Sequence, residues 1–302
     1  MSDNAKAMVL ASFIGDALAL GPHWEYDPDA LLRHFGQVTG YTTPPPDGYH
    51  GGKKAGELTH YGDQTLILLQ SLAACGDFDL EDFGRRWRER MTSYNGYIDG
   101  ATRMTLKIFD FGEGPESSGS SSNDLAGASR VAPLVFALRG DPGALVEAAR
   151  AQTRMTHNHA QVIDAAAFFV RAAWEVLAGK SVARALDVAA AAGYDSAPIA
   201  AWLAKGRETA GQDTVEAIGR LGQTCHVDEA FPGVIHLLAR YEGDLPACLT
   251  QNVMAGGDSA ARGLLAGMLL GASCGATAIP DAWLEGLASR AAIEQDLAAI
   301  AG

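Results

Sequence analysis

Apolar residues recur every three to four positions along most of the chain, the period of a helix face and not the two-residue alternation of a strand. The pattern predicts helices over 5–20, 64–74, 80–91, 101–109, 160–177, 182–191, 229–241 and 258–273, and the abundance of alanine and leucine supports them. No β-branched alternation is long enough for a strand. Two stretches break the periodicity: 41–60 (YTTPPPDGYHGGKKAGELTH) and 111–124 (FGEGPESSGSSSND), whose Pro, Gly and Ser clusters mark loops. Long loops inside a compact body are functional or mobile more often than short ones. Helical sequence continues on both sides without a shift in composition, and no repeat of fixed period is visible. The expectation is one compact, multi-helix, all-α domain over residues 1–302.

Within the helix predicted over 258–273, Gly263, Ala266, Gly267, Leu270 and Gly271 fall on one face. A face so small lets another backbone pack closely, which places this helix at the centre of the fold. Asp258 stands at its N-terminal end, where other elements converge. Capping alone explains an aspartate there, since its carboxylate accepts the first free N–H groups.

Composition narrows the function classes. Of 302 residues, 48% are hydrophobic and 20% charged, ordinary for a soluble globular protein. The 36 acidic against 23 basic side chains leave a net charge of −13, which repels polyanions, so no nucleic-acid partner is expected. Cys75, Cys225, Cys248 and Cys274 lie far apart without a CxxC pair and read as reduced thiols. The N-terminal run MSDNAKAMVLASFIGDALAL has acidic residues on both sides and reads as a first helix, not a signal peptide. No uncharged run reaches membrane-spanning length, and the expected location is cytoplasmic.

Candidate chemistry gathers where loops enter helices. Asp16 falls in or near the end of the first helix, and Glu25 in the loop after Pro22. Asp63 falls at an expected N-cap, His157 and Asn158 just before a long helix, Asn123 at the end of the second loop, and Asp258 before the last strongly periodic helix. Converging helix N-termini would form an anion site, and a carboxylate cluster there would suit a hard cation such as Mg²⁺. Taken singly, each has a structural reading: Glu25 as a surface carboxylate, and His157 as a loop hydrogen-bonding group.

Six segments, SFIGDALALGPHWEYD, GDQTLILLQSL, YNGYIDGATRMTLKIF, SRVAPLVFALRGD, TRMTHNHAQVIDAAAFFVRAAWEVLAGK and AGGDSAARGLLAGMLLGA, stand in the order found in the ADP-ribosylglycohydrolase family. The chain resembles that family, which includes dinitrogenase-reductase-activating glycohydrolases and J-crystallins, over almost its whole length. The resemblance implies an all-α fold, a binuclear Mg²⁺ centre, and hydrolysis of the bond between ADP-ribose and a modified side chain or small acceptor. The partner it implies is ADP-ribose or an ADP-ribosylated substrate.

The match departs from the family's pattern at the metal motifs. The family's early glutamate falls on Glu25, its Thr-Asp-Asp on Tyr61, Gly62 and Asp63, and its Asp-x-Asp-Thr on Asp258, Ser259, Ala260 and Ala261. Glu25, Asp63 and Asp258 are therefore the candidate catalytic and metal-ligating residues, and the cofactor expectation is one Mg²⁺ ion or none. Asn123, His157, Asn158, Ser259 and Arg262 are the candidate ligand-binding residues. Arg262 stands one turn after Asp258, where the family has an aliphatic residue. It is either an ordinary i, i+4 partner or a guanidinium in place of a lost cation. Without a metal, a carboxylate must act as general base. Two functions follow: a hydrolase of ribosyl, including ADP-ribosyl, linkages with a reduced metal site; or a degenerate member that binds an ADP-ribose-like ligand or has a structural, crystallin-like role. Loss of carboxylates at Gly62 and Ala260 favours the second, while one surviving carboxylate in each of three motifs favours the first.

Overall fold

Most helices begin on a side chain that closes the first turn, and these caps set where the loops end. The computed structural model describes residues 2–301. After α1 (Ser2–Ala19), Asp27 caps α2 (Pro28–Phe35), Thr59 caps α3 (His60–Cys75), Asp79 caps α4 (Leu80–Thr92) and Asp99 caps α5 (Gly100–Asp110). The short α6 (Ala126–Ser129) and α7 (Ala132–Ala137) lead to α8 (Pro142–Thr156), capped by Asp141, and α9 (Ala160–Leu177). The second half runs through α10 (Val182–Ala190), α11 (Ile199–Glu208), α12 (Thr214–Leu221), α13 (Val227–Arg240) and α14 (Leu245–Met254) to α15 (Ser259–Cys274), capped by Asp258. A 3₁₀ turn (Ala276–Ala278), α16 (Asp281–Gly286) and α17 (Arg290–Ala301) close it. Among the described residues there is no strand, in agreement with the all-α expectation.

The small face predicted on α15 meets α1 directly. A Cβ on Gly15 would stand 2.2 Å from the Gly263 carbonyl oxygen, and one on Gly267 would stand 2.2 Å from that of Ala11. Contact this close is open only to glycine. Each such glycine costs about 1 kcal/mol of intrinsic helix propensity, which the backbone packing must offset. Ser12 Oγ donates to the Leu264 carbonyl at 2.9 Å and Asn4 Nδ2 to that of Ala272 at 3.0 Å, lacing the pair. Around it one continuous apolar core runs from Ala5 to Leu297.

Several helices, among them α2, α8, α11, α12, α14 and α17, lie outside the spans expected from sequence, and the start of α3 differs from its expected place. α3 begins at His60, with Thr59 Oγ1 accepting the Tyr61 N–H, so Asp63 is the fourth helical residue and not the cap. Both long loops are present, and two isolated bridges, Ser120 to His157 and Asp124 to His226, tie the second to the body.

Candidate active site

A backbone clasp builds the site. Trp24 N donates to the Gly257 carbonyl at 3.0 Å, Gly257 N to that of Glu25 at 2.7 Å, and Asp258 N to that of Gln223 at 2.9 Å. The clasp holds Trp24 at φ 66°, a left-handed conformation costly for a bulky residue and sustained only by over-determined surroundings. Above it lies a cleft of about 500 Å³. Trp24, Tyr26, Tyr49, Tyr61 and Tyr97 supply its aromatic walls, and Asp99, Ser120, Ser122, Asp124 and Cys225 its polar ones.

Asp258 lies under the cleft, fully buried and saturated with donors. Oδ1 faces the Ala261 N–H at 3.3 Å and His23 Nε2 at 3.4 Å; Oδ2 faces the Tyr61 hydroxyl at 3.0 Å and Trp24 Nε1 at 3.4 Å. Burial keeps His23 neutral by pushing its pKa down, so its Nε2–H donates to Asp258 and its Nδ1 accepts from His50 Nε2 at 2.9 Å. Against the cost of burial, the bond from His23 and the charge of Arg262 hold the Asp258 carboxyl below its ordinary range.

Asp124 is the opposite case. Burial first, then the charges of Asp258 and Asp99, push its carboxyl well above the usual carboxylate range. Its Oδ1 accepts the Ala126 N–H at 2.8 Å, and its Oδ2 lies 3.3 Å from the Tyr61 hydroxyl. One phenolic proton cannot serve two carboxylates. Tyr61 donates to ionised Asp258, and its oxygen is left to accept the Asp124 proton.

A third carboxyl lines the same cleft. Burial opposes the charge on Asp99, but the bond to His60 Nε2 at 3.3 Å and the Thr102 N–H at 2.6 Å hold it well below the ordinary range. The cleft therefore contains two carboxyl groups whose surroundings drive their protonation apart, Asp124 toward the acid and Asp99 toward the carboxylate.

The residues singled out from sequence are not all brought together. Glu25 lends its carbonyl to the clasp, but its carboxylate accepts the Asp27 N–H at 3.0 Å, turned onto its own chain. Asp63 faces a separate polar cavity, where Lys53 Nζ at 2.6 Å and the Tyr94 hydroxyl at 2.5 Å hold it. His157 is buried on Thr156 Oγ1 at 2.8 Å, Asn158 is exposed with its N–H on the Ser120 carbonyl, and Asn123 gives its carbonyl to the Val227 N–H. Ser259 is buried with a free hydroxyl. Arg262 is buried, donating from Nε to Asn252 Oδ1 at 3.0 Å and from Nη2 to the Gly256 carbonyl at 2.5 Å, without a direct bond to Asp258. Asp124, Asp99 and the aromatic walls were missed. Asp124 follows Asn123, and its place two residues before a helix start was the available signal.

A binuclear Mg²⁺ centre does not fit these residues. A Cβ on Gly62 would stand 2.2 Å from Asp16 Oδ2, so no carboxylate has room there. The lone pairs of Asp258 already face four donors, and Asp63 is turned away to Lys53. Among the described residues, the one group with ligating atoms close enough to share an ion is Asp124, Cys225 and Asp258, within 4.8 Å of one another. Its thiol is a soft ligand, foreign to Mg²⁺, which takes six oxygens. All four cysteines are free thiols.

These features define an all-helical protein with a carboxyl-lined ligand cleft. It belongs to the ADP-ribosylglycohydrolase family, whose model matches residues 1–302. It is 28% identical over 239 residues to the ADP-ribosyl-[dinitrogen reductase] glycohydrolase of Rhodospirillum rubrum, covering 78% of this chain and 74% of that one. To crystallin J1B of Tripedalia cystophora it is 23% identical, covering 94% and 92%. Its fold matches a solved ADP-ribosylglycohydrolase-related protein complex with a TM-score of 0.76 at 22% identity, covering 99% and 97% of the two chains. Among the described residues no helix is long and apolar enough to cross a membrane.

Proposed function

We propose that this protein hydrolyses a ribosyl glycosidic bond, of which the ADP-ribosyl linkage is the form named for its glycohydrolase relative, through the carboxyl groups of Asp124 and Asp99. The observation that carries the reading is their opposite protonation within one cleft. Carboxyl pairs driven apart in this way serve as acid and base in glycoside hydrolysis. Asp124 gives its proton to the departing atom as the bond to the ribose carbon breaks. Asp99 takes the proton of the attacking water. Tyr61 accepts the hydrogen bond of the Asp124 acid, with Asp258 fixing the phenol from below. The aromatic walls hold the sugar and its substituent and exclude water. Both proton transfers come from these side chains.

A second reading, ligand binding without turnover, is favoured by the burial of Asp258 beneath Tyr61. One assay separates the two: release of ribosyl product from ADP-ribosylated peptides and from nucleosides. Turnover by the wild type, reduced about 10²- to 10⁴-fold by Asp124→Asn and by Asp99→Asn, is expected. Binding with no turnover of any of them would support the second reading and sink the first.

A further inference from the structure

A buried guanidinium near the cleft carboxyls plays no part in the chemistry proposed above. Arg130, between α6 and α7, is 2% exposed. Burial lowers its pKa to about 10, against the charges of Asp99 and Asp124, so it stays ionised at neutral pH. A charge buried so deeply is usually paired with a carboxylate. Both hydrogen-bond partners of Arg130 are neutral instead: Nη1 donates to Gln64 Oε1 at 2.5 Å and Nη2 to Thr156 Oγ1 at 2.5 Å, while Nε has no partner. Gln64 lies on α3 and Thr156 ends α8, so one planar fork ties two helices together.

Each arm of the fork leads to one wall of the cleft. Trp87 Nε1 also donates to Gln64 Oε1, at 2.8 Å, and since indole and guanidinium can only donate, that atom is fixed as the oxygen. Gln64 Nε2 therefore faces Thr102 Oγ1, at 3.4 Å, and the Thr102 N–H closes on Asp99 Oδ1 at 2.6 Å. Gln64, Trp87 and Thr102 are all buried. The other arm holds Thr156, whose carbonyl accepts the Ser120 N–H at 3.0 Å, the Ser120 hydroxyl at 2.8 Å and the Thr105 hydroxyl at 3.3 Å. Ser120 Oγ accepts the Ser122 N–H and Ser122 Oγ accepts the Asp124 N–H, each at 3.3 Å, which carries the contact on to Asp124.

We propose that Arg130 is a positioning residue that sets how far apart the Asp124 and Asp99 carboxyls stand. The proposal rests on the ribosyl-hydrolase reading, in which those two groups act as acid and base. In glycoside hydrolysis the separation of the carboxyls decides whether a water fits between the base and the sugar, and a misplacement of about 1 Å costs about 10²-fold in rate. A guanidinium suits the task because its arms keep a fixed span. A lysine ammonium is a point charge on a flexible stem and cannot hold Gln64 and Thr156 in the same geometry. Arg130 does not line the cleft, so the brace acts on turnover and leaves affinity to the aromatic walls.

The test compares the full chain with its Arg130→Lys and Thr102→Val variants. It reads steady-state hydrolysis of an ADP-ribosylated peptide and the NMR resonance of the Asp99 side-chain carboxyl carbon, which reports the hydrogen bonds on that carboxylate. Arg130→Lys should lower kcat about 10- to 100-fold with KM within about threefold of the wild type, and should shift the Asp99 resonance. Thr102→Val keeps the backbone N–H but cuts the link to Gln64, and should lower kcat about tenfold with a shift of the same sign. A folded Arg130→Lys with wild-type kcat overturns the proposal; if that variant does not fold, Thr102→Val with wild-type kcat does so. A fall in kcat without movement of the Asp99 resonance overturns it as well, since Arg130 would then act by another route. A wild type that turns over no ribosyl substrate sinks the hydrolase reading instead, and the Asp99 resonance alone then decides whether the brace holds that carboxylate.

Discussion

Asp16 Oδ2 occupies the space that a side chain on Gly62 would need, 2.2 Å from an ideal Cβ. From α1 the Asp16 carboxylate reaches the start of α3, accepting the Thr59 N–H at 2.7 Å, the Thr59 hydroxyl at 2.6 Å and the Gly62 N–H at 3.1 Å. There it closes the end of α3, with both oxygens taken up by Thr59 and Gly62. Gly62→Asp is therefore expected to strain the contact, not to rebuild a metal site. Overpacking of this kind costs about 1–3 kcal/mol, and like charge adds to it. Urea unfolding should show the loss, and calorimetry no new Mg²⁺ uptake. A stable variant that binds Mg²⁺ would refute this account of the site.

The fold was legible because its signals are local. Period, caps and the small face of α15 each sit within one segment, and Gly263 and Gly267 meet α1 as their size implies. The site was legible only in part. Asp258 announced itself by standing before a helix, but Asp63 had the same local signature and faces Lys53 instead, because α3 is capped by Thr59, starts at His60 and turns Tyr61 toward the cleft. Asp99 and Asp124 are ordinary loop aspartates by sequence. What distinguishes them is burial and their partners, His60 and Thr102 for Asp99 and the charges of Asp258 and Asp99 for Asp124, which arise only when α3, α5, the 111–124 loop and α15 come together.

Acid should destabilise the protein below neutrality. Burial pushes His50 down to about 2 and His157 to about 3, so each stays neutral in the fold while its unfolded form takes a proton near 6.5. Their stability is present above pH 6.5 and lost as pH falls below it. Asp16 has the opposite sign: burial raises it to about 6, so its stabilising term is full below about 4 and lost as pH rises through 6. Four histidines held neutral in the fold, His23, His50, His157 and His236, outnumber the two carboxyls held protonated, Asp16 and Asp124, so the unfolded chain takes up more protons and stability falls as pH drops from 6 toward 4. Urea midpoints at pH 7, 6 and 5 should fall in that order, and Asp16→Asn should steepen the fall. A flat profile would contradict the assignment of His50 and His157 as neutral.

Tyr61 bridges the acid and the buried carboxylate, so Tyr61→Phe removes the hydroxyl between Asp124 and Asp258 and leaves both oxygens facing an apolar edge. Loss of a bond to a buried charged group costs about 1.5–3 kcal/mol. Turnover of any ribosyl substrate should fall more than affinity, since the ring that packs against the ligand remains. A variant with wild-type stability and turnover would show that the phenol is only a wall.

Arg262 separates a surface ion pair from an internal brace. An exposed i, i+4 pair is nearly free to remove, and the spacing from Asp258 is compatible with one. The structure instead buries the guanidinium completely and bonds it to Asn252 and to the carbonyl of Gly256, the residue before the clasp glycine that holds Trp24 and Asp258. Arg262→Ala thus leaves a cavity, an unpaired carbonyl and an Asp258 carboxylate deprived of a charge that lowers its pKa. Breaking a buried charged arrangement by removing one partner costs about 3–5 kcal/mol. Lysine supplies the charge without the planar fork, so Arg262→Lys should recover part of the stability but not the fixed geometry of the clasp. Denaturant unfolding gives the first comparison, and quenching of Trp24 fluorescence by a bound riboside gives the second. If Arg262→Ala unfolds at the wild-type midpoint, the guanidinium does not hold the clasp, and its burial in this position has no structural consequence.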